Sequence, residues 1–143
     1  MSLYVESSAV LNAWLKQSSA THVWPLLAAP ERIFTSELTC IECERAFLRG
    51  ETLGTLSPDE RSALQQEAAR FWQKCYVLPF SAAVADRARR RFPSEPVRTL
   101  DALHLAFFSE AMALLPSLAM LSLDERVRSA AKGLGATVLP ETV

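Results

Sequence analysis

The chain has 143 residues, half of them hydrophobic and 22% charged, which suits one domain with a sizeable core over residues 1–143. Its net charge of −1 excludes attraction of nucleic acid by bulk charge alone. Cys40, Cys43 and Cys75 are too few and too odd in number for a disulfide framework, which fits a reducing cytoplasm.

The N-terminus runs straight into a strand-like segment, with no basic region or cleavage site of a secretory signal. Leu3-Tyr4-Val5 reads as that strand, and Glu6 stands at its end. Ser7 and Ser8 supply cap hydroxyls for a helix over about residues 9–16. A second short helix is expected over 22–29, stopped before Pro30. Residues 32–35 form a second strand. Thr39 and Glu42 have the spacing of a capping box for a helix reaching about Arg49, closed by Gly50 and Gly54. Ser57-Pro58-Asp59-Glu60 is a strong helix start, and that helix runs to about Lys74.

A third strand covers 76–78 and a helix covers 81–91. Pro93 and Pro96 bracket a loop before the apolar helix that carries Asp101 in its first turn and ends before Pro116. Residues 118–121 form a fourth strand. Ser122 and Glu125 read as the capping box of a helix that stops at Gly133 or Gly135, and residues 136–139 as the last strand. The apolar run from 102 to 121 has a membrane-spanning length, but His104, Glu110 and Pro116 interrupt it. A buried helix followed by a buried strand is expected there, with no membrane partner. Short strands alternating with helices predict an α/β fold: a mainly parallel sheet with helices on both faces.

Sites in such sheets form at the carboxyl ends of the strands. Glu6 directly follows the first strand and Asp124 lies three residues after the fourth. Glu42 and Asp101 sit in first turns of helices that can be aimed at the same edge. Carboxylates gathered this way repel one another, and a hard divalent cation relieves the repulsion. Magnesium suits one or two carboxylates plus waters and a substrate phosphate, and manganese can replace it. Such ions can activate a water for phosphodiester hydrolysis. Each acid also has a local role open to it: Asp124, Glu42 and Asp101 all complement a helix dipole. Glu6 does not, because the end of a strand gains nothing from a carboxylate.

Tyr4-Val5-Glu6-Ser7-Ser8-Ala9, Thr35-Ser36-Glu37-Leu38 with Glu42-Cys43-Glu44-Arg45-Ala46, Leu100-Asp101-Ala102-Leu103-His104-Leu105-Ala106, and Leu121-Ser122-Leu123-Asp124-Glu125-Arg126 resemble, in order, the four motifs of PIN-domain proteins. VapC-type toxins of toxin–antitoxin pairs are the subgroup most resembled. The resemblance implies a three-layer α/β/α sandwich and Mg2+- or Mn2+-dependent endoribonuclease activity. It further implies a homodimer and a small antitoxin bound near the acidic site. It makes Glu6, Glu42, Asp101 and Asp124 the catalytic and metal-binding acids, with Ser8 in support. Glu6 departs from the family's usual Asp, and its extra methylene reaches about 1.5 Å farther.

Among other residues, Arg98 is the best candidate for contacting substrate, and the arginines at 87 and 89–91 are either a solvated helix face or phosphate-positioning groups. Cys40 and Cys43 form a lone C-x-x-C that reads as packing. His104 shares a helical face with Asp101 and reads as a satisfied, partly buried histidine; Glu37 and Glu44 read as solvated. Two rival functions stay open on the residues alone. One is a binding module on the same fold that has lost its chemistry; the other is a phosphatase or DNase using the same acids.

Overall fold

The computed structural model describes residues 1–15, 20–28 and 30–143, without the side chains of residues 20–22. The expected ends of the first two helices, at residues 16 and 29, and the side chain of His22 lie outside that set. The described elements, in order, are β1 (Leu3–Val5), α1 (Ser7–Trp14), α2 (Ala20–Ala28), β2 (Ile33–Ser36), α3 (Glu37–Thr52) and α4 (Pro58–Gln73). They continue with β3 (Tyr76–Leu78), α5 (Ala82–Arg89), α6 (Thr99–Leu114), β4 (Ala119–Leu121), α7 (Glu125–Gly133) and β5 (Val138–Leu139).

The five strands form one sheet in the order β3-β2-β1-β4-β5, with every described pairing parallel. Side chains alternate across each strand. Tyr4, Phe34 and Met120 therefore enter one core with Phe107 and Phe108 of α6 and Val127 of α7. Leu3, Val5 and Leu121 enter a second core with Val10 and Trp14 of α1 and Phe47 of α3. Helices thus cover both faces of the sheet, as expected for an α/β/α sandwich. The ring of Trp14 anchors the second core, meeting Phe47, Phe71 and Trp72 edge-on at centroid distances of 5.4–5.9 Å. Among the described residues no helix is long and apolar enough to cross a membrane, and the apolar run divides into α6 and β4.

Several helix starts differ from their sequence reading. α1 begins at Ser7 with Glu6 as N-cap, its carboxylate accepting from the Ser8 amide. α3 is capped three residues before the proposed capping box, on Ser36, whose hydroxyl accepts from the Thr39 amide. It also runs through Gly50 to Thr52, and the left-handed residue is Gly54, at φ 79°. α7 is followed by Gly135 at φ 83°. The capping box of α4 forms as expected: the Ser57 hydroxyl accepts from the Glu60 amide at 3.1 Å, and the Glu60 carboxylate accepts from the Ser57 amide at 2.9 Å. Replacing this cap in Ser57→Ala is expected to cost about 1 kcal/mol, read as a lower urea midpoint with an unchanged slope.

Candidate active site

The chain lays β2 and then β3 on one side of β1 and crosses from β3 to β4 on the other side, so the strand order reverses at β1. Ligand sites of open parallel sheets lie at such switch points. Glu6 is pinned there. Its amide donates to the Leu121 carbonyl of β4 at 3.0 Å, and the residue is only 3% exposed. A carboxylate this deep is costly unless donors surround it. Oε1 accepts from the Ser7 hydroxyl at 2.8 Å. Oε2 accepts from the Ser122 hydroxyl at 2.8 Å, from the Ser8 amide at 3.2 Å and from the Ser8 hydroxyl.

Ser8, expected in support of the acids, also ties the two strand ends together. Its Oγ accepts from the amides of Leu123 at 2.8 Å and Asp124 at 3.1 Å. Ser122 does not cap α7, contrary to its sequence reading. Asp124 does: its Oδ1 accepts from the amides of Arg126 and Val127 at 2.9 and 3.2 Å. The reason is a competition for hydroxyls. The buried Glu6 needs Ser122 as a donor, whereas a helix start accepts a carboxylate equally well and gains from its charge. Beneath this corner the buried guanidinium of Arg128 donates to the Ser122 carbonyl at 2.8 Å and the Pro140 carbonyl at 2.6 Å. Arg128 thus fixes the turn after β4 from the side of the C-terminal segment.

Glu42 joins the same network. Its Oε1 accepts from the Ser7 hydroxyl at 3.2 Å and lies 2.5 Å from His104 Nε2. That nitrogen is also 3.7 Å from Glu6 Oε1. His104 is therefore buried between two acids, and the sequence reading understated its part. It is not fully satisfied either, because Nδ1 has no hydrogen-bond partner among the described residues. Burial alone pulls its pKa down, but the hydrogen bond to Glu42 and the charges of Glu6, Glu42 and Asp101 outweigh this and leave it raised.

Asp101 sits in the first turn of α6, part-buried, with no hydrogen bond to a described residue. Its carboxyl pKa is raised, first by burial and then by the charge of Asp124, with Glu6 adding and His104 and Arg126 opposing. The structure thus brings Glu6, Ser8, Glu42, Asp101 and Asp124 into one neighbourhood. Arg98 is the exposed N-cap of α6, three positions before Asp101, and makes no ion pair among the described residues. Glu44 is exposed, as expected; Glu37 is exposed but accepts from the Phe80 amide at 3.0 Å. Cys43 is buried, and burial pushes the half-buried Cys40 thiol up to about 11, so neither offers a ready thiolate.

Among the described residues, no group of three His, Cys, Asp or Glu side chains stands close enough to hold a metal ion by itself. The donor chemistry nevertheless fits a hard cation that keeps most of its waters. Asp101 is an acid without a hydrogen bond whose neighbours include two like charges, and one oxygen of Asp124 is left over from capping. Magnesium asks for only one or two such carboxylates.

The shifts have opposite consequences for stability. Asp101 has a raised folded pKa, so its ionised form opposes folding above the ordinary carboxylate range, and the penalty vanishes on acidification below that range. In metal-free buffer Asp101→Asn is expected to melt higher than wild type at pH 7, with the difference closing towards pH 4. His104 also has a raised folded pKa, but as a base its contribution stabilises. That contribution is complete below about pH 6.5 and is lost as pH rises through the folded value. Melting curves of metal-free His104→Gln are expected to lack this decline above pH 6.5.

The PIN-domain family model matches residues 3–133. Ribonuclease VapC35 of Mycobacterium tuberculosis (strain ATCC 25618 / H37Rv) is 28% identical over 139 residues, covering 96% of this chain and 95% of its own. Among solved structures, the sarcin-ricin loop cleaving toxin VapC20 of Mycobacterium tuberculosis superposes with a TM-score of 0.64 at 16% identity, over 90% of this chain and 94% of that one. VapBC2 of Rickettsia felis, bound to a DNA fragment from its promoter, gives 0.62 at 13% identity, over 96% and 97%. With motifs, sheet order and family model in agreement over nearly its whole length, the chain belongs to the PIN-domain family.

Proposed function

We propose that the protein is a divalent-metal-dependent endoribonuclease, the toxin of a toxin–antitoxin pair. The observation that carries this is the placement of Asp101 and Asp124 at the strand-order switch beside Glu6, whose carboxylate oxygens accept from the Ser7 and Ser122 hydroxyls. Asp101 would be the principal ligand of magnesium or manganese, with Asp124 and Glu6 next to it. When bound, such an ion supplies an acidified water and a positive charge against the phosphate oxygens. Glu42 has one oxygen engaged by Ser7 and His104 and the other without a described hydrogen-bond partner, so it can take a proton from the attacking water at that second oxygen. His104 keeps Glu42 oriented. The new bond runs from water oxygen to phosphorus as the bond from phosphorus to the ribose oxygen breaks; the departing oxygen takes a proton from solvent water, and Glu42 returns its own to solvent.

Arg98 at the start of α6 and the arginines at 89–91 at the end of α5 are exposed and would hold backbone phosphates without reading bases. VapC35 is named a ribonuclease, which supports RNA over DNA as the substrate. A partner protein has a seat beside Glu42: a groove along α3, about 790 Å³, where the exposed side chains of Ile41, Leu48 and Leu53 alternate with Arg45 and Arg49. A small antitoxin fits this groove, and a homodimer is the expected assembly.

One observation favours the rival reading of a binding module with lost chemistry. Both oxygens of Glu6 are already hydrogen-bonded, which leaves less of it for a metal than an unengaged carboxylate would offer. Cleavage of a mixed RNA pool by the purified protein decides between the two. Cleavage is expected with magnesium or manganese and not with EDTA. Asp101→Asn is expected to fold and to lose activity by more than about 100-fold, beyond the usual loss for an outer-shell residue. Full activity in a folded Asp101→Asn protein, or cleavage indifferent to EDTA, would contradict the proposal.

A further inference from the structure

A cavity of about 350 Å³ opens beside Asp101, between the loop 92–97 and the first turns of α7. The loop that walls it is held in shape by its own side chains. Glu95 accepts from the amides of Phe92 and Val97, both at 2.8 Å. Phe92 is buried, and the guanidinium of Arg87 lies 3.9 Å over its ring. The loop also sits directly on α7: a Cβ at Gly133 would come within 2.4 Å of the Ser94 hydroxyl. A cavity built this way needs little reorganisation to receive a ligand.

Its lining mixes apolar residues with charged ones and two serines. Pro96, Val97 and Ala130 offer flat apolar surface, while Asp101, Glu95 and Glu125 outnumber the single cation Arg126. Three carboxylates against one guanidinium repel a phosphate, so the cavity does not suit the backbone of a nucleic acid. Arg126 at its edge is exposed and without an ion pair among the described residues. It would repel an incoming basic side chain, yet present a plane on which a base can stack. Adjoining it is a depression lined by Arg89, Arg90 and Arg91 that shares Glu95, Pro96 and Val97 with the cavity. A strand whose phosphates follow those arginines would hang a base over the loop.

We propose that this cavity receives one unpaired nucleobase adjacent to the scissile phosphodiester and that Glu125 selects guanine. The proposal rests on the ribonuclease reading above. Of the carboxylates present, Glu95 is committed to the loop amides and Asp101 to the acidic site. Glu125 accepts no hydrogen bond from a described residue. A carboxylate accepts two parallel hydrogen bonds, and guanine alone presents two adjacent donors, N1–H and the N2 amino group, on its pairing edge.

The test compares oligoribonucleotides that differ only at the nucleotides flanking a mapped cleavage site, with inosine included to delete the N2 amino group. One flanking position is expected to prefer guanine over the other three bases and over inosine by roughly 10- to 100-fold in kcat/KM, the range of a good bidentate contact. Glu125→Gln, nearly isosteric and at an exposed position, is expected to bring the guanine-to-inosine ratio close to one. Equal cleavage of all bases at every flanking position, or an unchanged ratio in Glu125→Gln, overturns the proposal while leaving the ribonuclease reading intact. Anisotropy with the same oligonucleotides in EDTA separates the two failures. Guanine-selective binding that Glu125→Gln removes supports the cavity even for a protein that cleaves nothing. Base-indifferent binding that L-arginine displaces and guanosine monophosphate does not would assign the cavity to a protein side chain and overturn it.

Discussion

The buried carboxylate of Glu6, met by the hydroxyls of Ser7, Ser8 and Ser122, is the constraint on which the rest of the site depends. A charge at that depth must be solvated by the protein, and hydroxyls do so without neutralising it. Satisfying Glu6 takes Ser122 away from α7, which makes Asp124 the helix cap and aims it at the sheet edge. Ser8 faces both ways, donating to Glu6 and accepting from the turn after β4, so the ends of β1 and β4 cannot separate without breaking it. Arg128 braces the same turn from below. The parallel pairing of β1 with β4 and this hydroxyl network therefore enforce the same geometry from two directions.

Around that anchor the charges are left unequal. His104 offsets Glu6 and Glu42 at close range, while Asp101 beside Asp124 is only partly offset by His104 and Arg126. A fold selected for stability alone would not keep such a pair; a site that waits for a cation would. On the proposed reading, stability given up at Asp101 is the same free energy that a bound cation recovers, by ordinary linkage between ligand binding and folding. The two cores on either face of the sheet are large enough to carry that local cost.

Much of this was legible in the sequence because it is local. Strand alternation in Leu3-Tyr4-Val5, the Ser57–Glu60 cap and the breaks at Pro116 and Gly135 are set by neighbours a few residues apart, and β1, α4 and the close of α6 stand within a residue or two of where they are read. The four acids could be placed on one edge because strand ends in a parallel sheet share it. What could not be read were choices decided over long separations. Nothing near Ser122 says that its hydroxyl answers to a carboxylate 116 positions away, nor that His104 would lie against Glu42 from another helix. Thr39 and Glu42 have the spacing of a capping box, but Ser36 at the end of β2 starts the helix first. The cavity beside Asp101 was equally hidden, since it needs the 92–97 loop folded back on α7.

Calorimetric titration of the metal-free protein with manganese, beside Glu6→Gln, tests the central claim most directly. The account predicts that wild type binds the ion and that Glu6→Gln, folded by circular dichroism, binds it at least about 10-fold more weakly. Equal affinities for the two proteins would contradict it, because the hydroxyl-held charge at the end of β1 would then contribute nothing to the ion.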